Sequence, residues 1–161
     1  MVRRAFTGQP VPLIIDEQEI RRSTPTYTID TLRAVRAALG PDASIVFLLG
    51  ADQLQHFDTW REWQSLFDYA NFGVASRPGF TLDALQLPSP VAREFRRRAG
   101  TPDQIRTTPH GLTYLASNLA VDVSATEIRS LLQHGEAPAL LTPLIPAGVL
   151  DYIQQHNLYK S

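Results

Sequence analysis

The sequence predicts an α/β fold with a mostly parallel sheet. Short apolar runs alternate with segments of helical period from one end of the 161 residues to the other. The run from Ser44 to Leu49, Ser-Ile-Val-Phe-Leu-Leu, is apolar almost throughout, the pattern of a strand covered on both faces. Turn residues mark the boundaries, notably Gly40-Pro41-Asp42 and Gly50-Ala51-Asp52. One domain over 1–161 is expected, long enough to bury a real core.

The elements follow in order. Leu13-Ile14-Ile15, between Pro12 and Asp16-Glu17, reads as a short buried strand. Ile29, Leu32, Val35 and Leu39 repeat at helical spacing from Thr28 until Gly40 stops them. The strand at 44–49 comes next. From His56 to Ala70, the residues Phe57, Trp60, Trp63, Leu66 and Phe67 suggest an aromatic-rich amphipathic helix. Phe72 to Ala75 is a strand, and a long irregular segment opens at Arg77-Pro78-Gly79. Val91 to Ala99 looks like an exposed basic helix, with Arg96, Arg97 and Arg98 as a solvated face. Leu112 to Ala116 is a strand, 121–135 a strand–helix unit, and Pro146 at the first helical position starts a last helix with Val149, Leu150 and Ile153 inward.

Composition excludes several classes. Net charge is −1, so no strong field favours nucleic acid or an anionic membrane. There is no cysteine, hence no disulfide framework, and the absence fits a cytoplasmic location. The four histidines show no metal-ligand spacing, so no protein metal site is expected. No apolar run approaches the length of a membrane span. A Gly-rich phosphate loop and a nucleophile elbow are both missing from the sequence.

The most telling stretch is Asp122 to Leu132. Ser124 and Glu127 form a capping box, and Ile128, Leu131 and Leu132 face a core. A helix start presents unpaired N–H groups and a positive dipole end, so Ser124, Thr126 and Arg129 could together hold a phosphate. The plainer alternative is a capped helix with a solvated arginine. Gly50-Ala51-Asp52 offers a carboxylate for a ribose diol beside a glycine that admits close approach; a plain turn is the alternative. Trp60 could stack on a flat heterocycle or pack in the core. In an open parallel sheet ligands bind beyond the carboxyl ends of strands. Asp52, Arg77 and the pair Ser124 and Arg129 all fall there.

Taken in order, Pro25-Thr26-Tyr27-Thr28 with Thr31-Leu32, Gly50-x-Asp52, Phe57-x-x-Trp60, Arg77-Pro78-Gly79 and Ser124-x-Thr126-x-Ile128-Arg129 resemble bacterial nicotinate mononucleotide adenylyltransferases. Leu150-x-Tyr152-Ile153 and Leu158-Tyr159 extend the likeness over nearly the whole chain. The resemblance implies a doubly wound, Rossmann-like parallel sheet of the nucleotidyltransferase superfamily. It implies transfer of the adenylyl group of ATP to nicotinate mononucleotide, with Mg²⁺ carried on ATP. Ser124, Thr126 and Arg129 would grip ATP, and Asp52 after Gly50 would meet its ribose. Trp60 would stack on the nicotinate, while Thr28 and the N–H groups of Ile29 and Arg61 would clamp its carboxylate. Tyr27 and Arg77 would line the same cleft. Alternatives of the same superfamily are a nicotinamide mononucleotide or phosphopantetheine adenylyltransferase; a non-catalytic nucleotide-binding module is the alternative outside enzymes.

One departure stands out. The family opens with a strand leading into Gly-x-Phe-Asp-Pro-x-His-x-Gly-His, whose histidines contact the reacting phosphates, and this sequence contains no such motif. The resemblance therefore implies that the first strand, the catalytic loop, the first helix and the second strand lie outside these residues. The strand at 44–49 is then expected to lack a neighbour on one side, and the isolated chain to be poorly soluble or only partly folded, without measurable turnover.

Overall fold

The structure is a computed structural model that describes residues 1–8, 10, 12–76, 87–116, 125–133, 141 and 144–159. The chain forms two compact units, one of Gln18–Val121 and one of Met1–Glu17 with Asp122–Ser161.

The first unit opens with the short helix α2 (Gln18–Arg21) and carries a parallel sheet in the order β1 (Val46–Gly50), β2 (Asn71–Ala75), β3 (Thr113–Ala116). Phe47 pairs with Phe72 and Leu49 with Val74 across β1 and β2, and Phe72 with Thr113 across β2 and β3. These residues share one face by strand alternation. That face meets the helix α3 (Thr28–Leu39) and the helix α4 (Ser89–Arg97) through a cluster holding Ile29, Leu32, Leu49, Phe57, Leu66, Phe67, Phe72, Val74, Val91 and Phe95. At its centre Phe57, Phe67, Phe72 and Phe95 all touch one another, with ring centroids 5.0–6.5 Å apart. The geometries are tilted or edge-on, which suits the ring quadrupoles. Each ring comes from a different element, so the tetrad fastens the segments on either side of β2 to it.

Several expectations change. The helix expected over His56–Ala70 is instead covered by two 3₁₀ segments, Ala51–Thr59 and Trp63–Asp68. The inward positions Ala51, Leu54, Phe57, Trp60, Trp63 and Leu66 recur every third residue. A 3₁₀-helix stacks such residues in line, whereas an α-helix would carry the row steadily around its axis. β1 is not covered on both faces either: Leu48 is 77% exposed and Val46 36%. It is an edge strand, with β2 as its one neighbour among the described residues, as expected from the resemblance.

The 89–97 helix is amphipathic rather than simply exposed. Val91, Ala92 and Phe95 are buried, and Arg98 beyond its end is half-buried, stacking on Phe67 at 4.4 Å while donating to Glu94 and to the Gly111 carbonyl. The sequence reading missed α5 (Pro102–Thr107), which Thr101 and Gln104 close with a full capping box. Its C-terminal carbonyls meet the buried Asn71 amide, which donates to Ile105 and Thr108 and accepts from the Leu112 N–H. Arg36 donates to the carbonyls of Gly40, Pro41, Ala43, Tyr69 and Pro109, so one guanidinium ties the end of α3 to three turns.

The second unit contains α1 (Val2–Ala5), α6 (Ala125–Gln133) and α7 (Ala147–Gln155). Its core is Leu141, Ile145 and Leu150, with Ile128, Leu131, Leu132 and Val149 packed against it, so α6 turns the expected residues inward. Pro146 is the N-cap of α7 rather than its first helical residue. Residues 13–15 are neither strand nor buried: Ile14 is 94% exposed. No strand lies beside them among the described residues, and an extended segment without a ladder partner gains nothing from strand geometry. Arg4 lies over the Tyr152 ring at 5.0 Å, joining α1 to α7.

Candidate functional site

Two separate stretches of the first unit build one cavity. Thr26, Tyr27 and Thr28 come from the start of α3, and Thr59, Trp60 and Arg61 from the turn between the 3₁₀ segments. The cavity measures about 460 Å³, within the roughly 300–1,000 Å³ typical of small-molecule sites. Four of these residues, Tyr27, Thr28, Trp60 and Arg61, belong to the set proposed for the nicotinate. Thr26 and Thr59 were missed, although both adjoin chosen residues. Thr59 donates its hydroxyl to the His56 carbonyl at 2.7 Å.

The helix start explains one wall. Asp30 and Thr31 both donate their N–H to the Tyr27 carbonyl, at 3.0 and 3.2 Å. The N–H groups of Thr28 and Ile29, one position earlier in the turn, have no carbonyl four residues back in the helix to meet. Tyr27 is extended and supplies no side-chain cap. Ile29 itself is fully buried and does not line the cavity; its side chain anchors α3 in the core.

The opposite wall owes its shape to the core. Trp60 is half-buried, its ring 4.9 Å from Phe57 and 6.3 Å from Phe47. Trp60 packs on the core cluster, as its plainer reading has it, and also lines the cavity. The chain then bends sharply. Trp60 is extended, and Glu62 is left-handed with φ 52°. That conformation costs a non-glycine residue about 1–2 kcal/mol. Arg33 of α3 holds Glu62 with a fork, Nη2 to Oε2 at 2.5 Å and Nη1 to Oε1 at 3.5 Å. The hydrogen bond from Arg33, first of all, keeps the Glu62 carboxyl below the usual glutamate range. Arg61 pairs with the same carboxylate at 3.7 Å and lays its guanidinium 5.0 Å over the Tyr27 ring.

Gly50 and Asp52 sit at the carboxyl end of β1, where sequence logic put them. Asp52 is exposed, and Gln53 donates to it at 3.0 Å. In the second unit Thr126 and Arg129 are both exposed on α6, in its first and second turns. Ser124 and Arg77 lie outside the described residues. Among the described residues no group of three or more histidine, aspartate or glutamate side chains could hold a metal.

Comparison with known proteins fits this geometry. A cytidylyltransferase-like family profile matches residues 1–131. The "Probable nicotinate-nucleotide adenylyltransferase" of Herminiimonas arsenicoxydans is 66% identical over 161 residues, all of this chain and 72% of that protein. The chain belongs to the nicotinate-nucleotide adenylyltransferases. The protein of the same name from Laribacter hongkongensis is 43% identical over 162 residues, with 70% of its length matched. The fold agrees with two solved structures of Plasmodium falciparum nicotinic acid mononucleotide adenylyltransferase, one complexed with APC and one with NaAD. Each has a TM-score of 0.57 at 21% identity, over 85% of this chain and 60% or 58% of theirs. The open parallel sheet is thus the Rossmann-like sheet of the nucleotidyltransferases, and members of this family are enzymes of NAD synthesis. No helix among the described residues is long and apolar enough to cross a membrane.

Proposed function

We propose that this chain supplies the substrate-binding sites for transfer of the adenylyl group from ATP to nicotinate mononucleotide, giving deamido-NAD and pyrophosphate, a reaction whose phosphate-contacting histidines are not among these residues. The observation that carries this is the cavity between Tyr27-Thr28 and Trp60-Arg61. It sets the aromatic residues Tyr27 and Trp60 beside Thr28 and the cation of Arg61, which suits a pyridine ring bearing a carboxylate. Trp60 stacks on the ring. The Thr28 hydroxyl and the N–H groups of Ile29 and Arg61 receive the carboxylate, and Tyr27 and Arg77 line the cleft. Asp52 accepts the adenosine ribose hydroxyls over Gly50. Ser124, Thr126 and the start of α6 take ATP phosphates with the fixed charge of Arg129.

In the reaction a phosphate oxygen of the mononucleotide attacks the α-phosphorus of ATP. The new bond is a pyrophosphate linkage, the bond to the β-phosphate oxygen breaks, and pyrophosphate leaves with its electron pair. Such a displacement depends on holding two anions in line and neutralising their charge. Mg²⁺ enters with ATP as part of the substrate, bound by phosphate oxygens.

Calorimetric titration of the chain with nicotinate mononucleotide, nicotinamide mononucleotide and MgATP tests the reading. Nicotinate mononucleotide should bind at least tenfold tighter than the amide, because N–H donors favour a carboxylate by about 1.5–3 kcal/mol. Equal affinity for the two, or no binding of either, would overturn it.

A further inference from the structure

The two walls of the cavity are more than thirty residues apart in sequence, and something must fix their spacing. Neither Arg33 nor Glu62 lines the cavity, yet together they join its walls. Arg33 lies on α3, whose N-terminus is one wall; Glu62 follows Trp60 and Arg61, which are the other. Resting on the reading of the cavity as the nicotinate pocket, we propose that the Arg33–Glu62 fork is a positioning pair. It sets where Trp60 and the Arg61 N–H meet the mononucleotide.

The contacts form a closed circuit. Arg33 stacks on Tyr69 at 5.5 Å and donates to its hydroxyl at 3.3 Å, which fixes the guanidinium before it reaches Glu62. The fork holds both Glu62 oxygens, and the same carboxylate pairs with Arg61. Arg61 covers Tyr27, which is the N-cap of the helix that carries Arg33. Each arm is rooted in the core: α3 through Ile29 and Leu32, the turn through Phe57 on one side and Leu66 and Phe67 on the other. What the roots leave free is the left-handed bend at Glu62, and the fork restrains that bend. Planar two-point contact fixes direction as well as distance, which a single ammonium cannot do.

The test titrates Arg33→Ala, Arg33→Lys and Glu62→Gly in the full chain against nicotinate mononucleotide and MgATP. Glycine keeps the positive φ without strain but removes the whole side chain and loosens the bend, so Arg33→Ala, which leaves the bend's own residue intact, is its control. Arg33→Ala and Glu62→Gly should weaken mononucleotide binding by roughly fivefold to thirtyfold and leave MgATP binding unchanged. Arg33→Lys should recover part of the loss. A fall in melting temperature with both affinities intact would make the pair merely structural, and equal weakening of both ligands would make it a general prop; either overturns the proposal. If the unaltered chain does not bind the mononucleotide, the pocket reading fails and this inference with it. Unaltered binding with unaffected variants fails the inference alone.

Discussion

The Asp52 carboxylate lies back over the Cα of Gly50, in the space where a side chain at position 50 would begin. Gly50 has φ −74° and ψ 150°, a conformation any residue adopts, so the glycine is there for space and not for backbone freedom. Gly50→Ala should therefore push the Asp52 side chain outward while leaving stability within about 0.5 kcal/mol, since the displaced group is exposed and can rotate. ATP affinity should fall and mononucleotide affinity should not. Titrations of the two ligands, with a thermal melt alongside, check this.

Trp60→Ala is expected to act twice. Loss of the ring face should cost mononucleotide binding about 1–3 kcal/mol, with little effect on ATP. Loss of its contacts with Phe57 and Phe47 should lower stability by about 2 kcal/mol. Trp60→Phe should recover most of the stability. An equal loss for both ligands would leave Trp60 as core packing only.

Arg129→Ala on the exposed face of α6 should weaken ATP binding by about 1.5–3 kcal/mol, the worth of a hydrogen bond to a charged group. The melting temperature should hardly move, because Arg129 is exposed while Ile128, Leu131 and Leu132 hold the helix. Unchanged ATP affinity would remove the phosphate role.

Acid should act through Glu62 and Glu94. Each carboxyl is held below its ordinary 4.5, Glu62 chiefly by the hydrogen bond from Arg33 and Glu94 chiefly by that from Arg97. A depressed folded value means that the contribution is fully present above the ordinary value and lost as pH falls through the folded one. Neither carboxyl should alter stability between pH 7 and about 5. Below that the melting temperature should drop, and less steeply in Glu62→Gln. A drop already complete at pH 5 would contradict these pairings.

Much of the fold was legible because burial left its period in the sequence. The strands read as Phe72–Ala75 and Leu112–Ala116 are observed within one residue of those bounds, and α3 begins at Thr28 and ends before Gly40, whose φ is 87°. The 3₁₀ character of the chain around His56–Ala70 is not distinguished by an apolar pattern alone, because inward residues at a spacing of three look like a helical face over so short a stretch. α5 was readable too, from Thr101, Pro102 and Gln104 in capping positions. The exposure of Leu48 and Ile14 could not be read from composition, since an apolar run reads the same whether or not the rest of the chain covers it. At the site, Tyr27, Thr28, Trp60 and Arg61 were found through a resemblance, and the structure brings them to one cavity. Glu62 was invisible, because a left-handed glutamate held by an arginine from another element leaves no local pattern.

Arg36 reaches the Tyr69 carbonyl across 33 positions of chain and the Pro109 carbonyl across 73. Contacts that close such long loops carry a large entropic cost until the intervening chain has collapsed. Gly40, Pro41 and Ala43 lie within seven residues of Arg36, so those bonds can form with the helix end, whereas the bonds to Tyr69 and Pro109 wait for the long loops to close. Those two distant bonds are expected to weigh more on the unfolding rate than on the folding rate. One side chain of α3 thereby links the survival of three turns of the first unit.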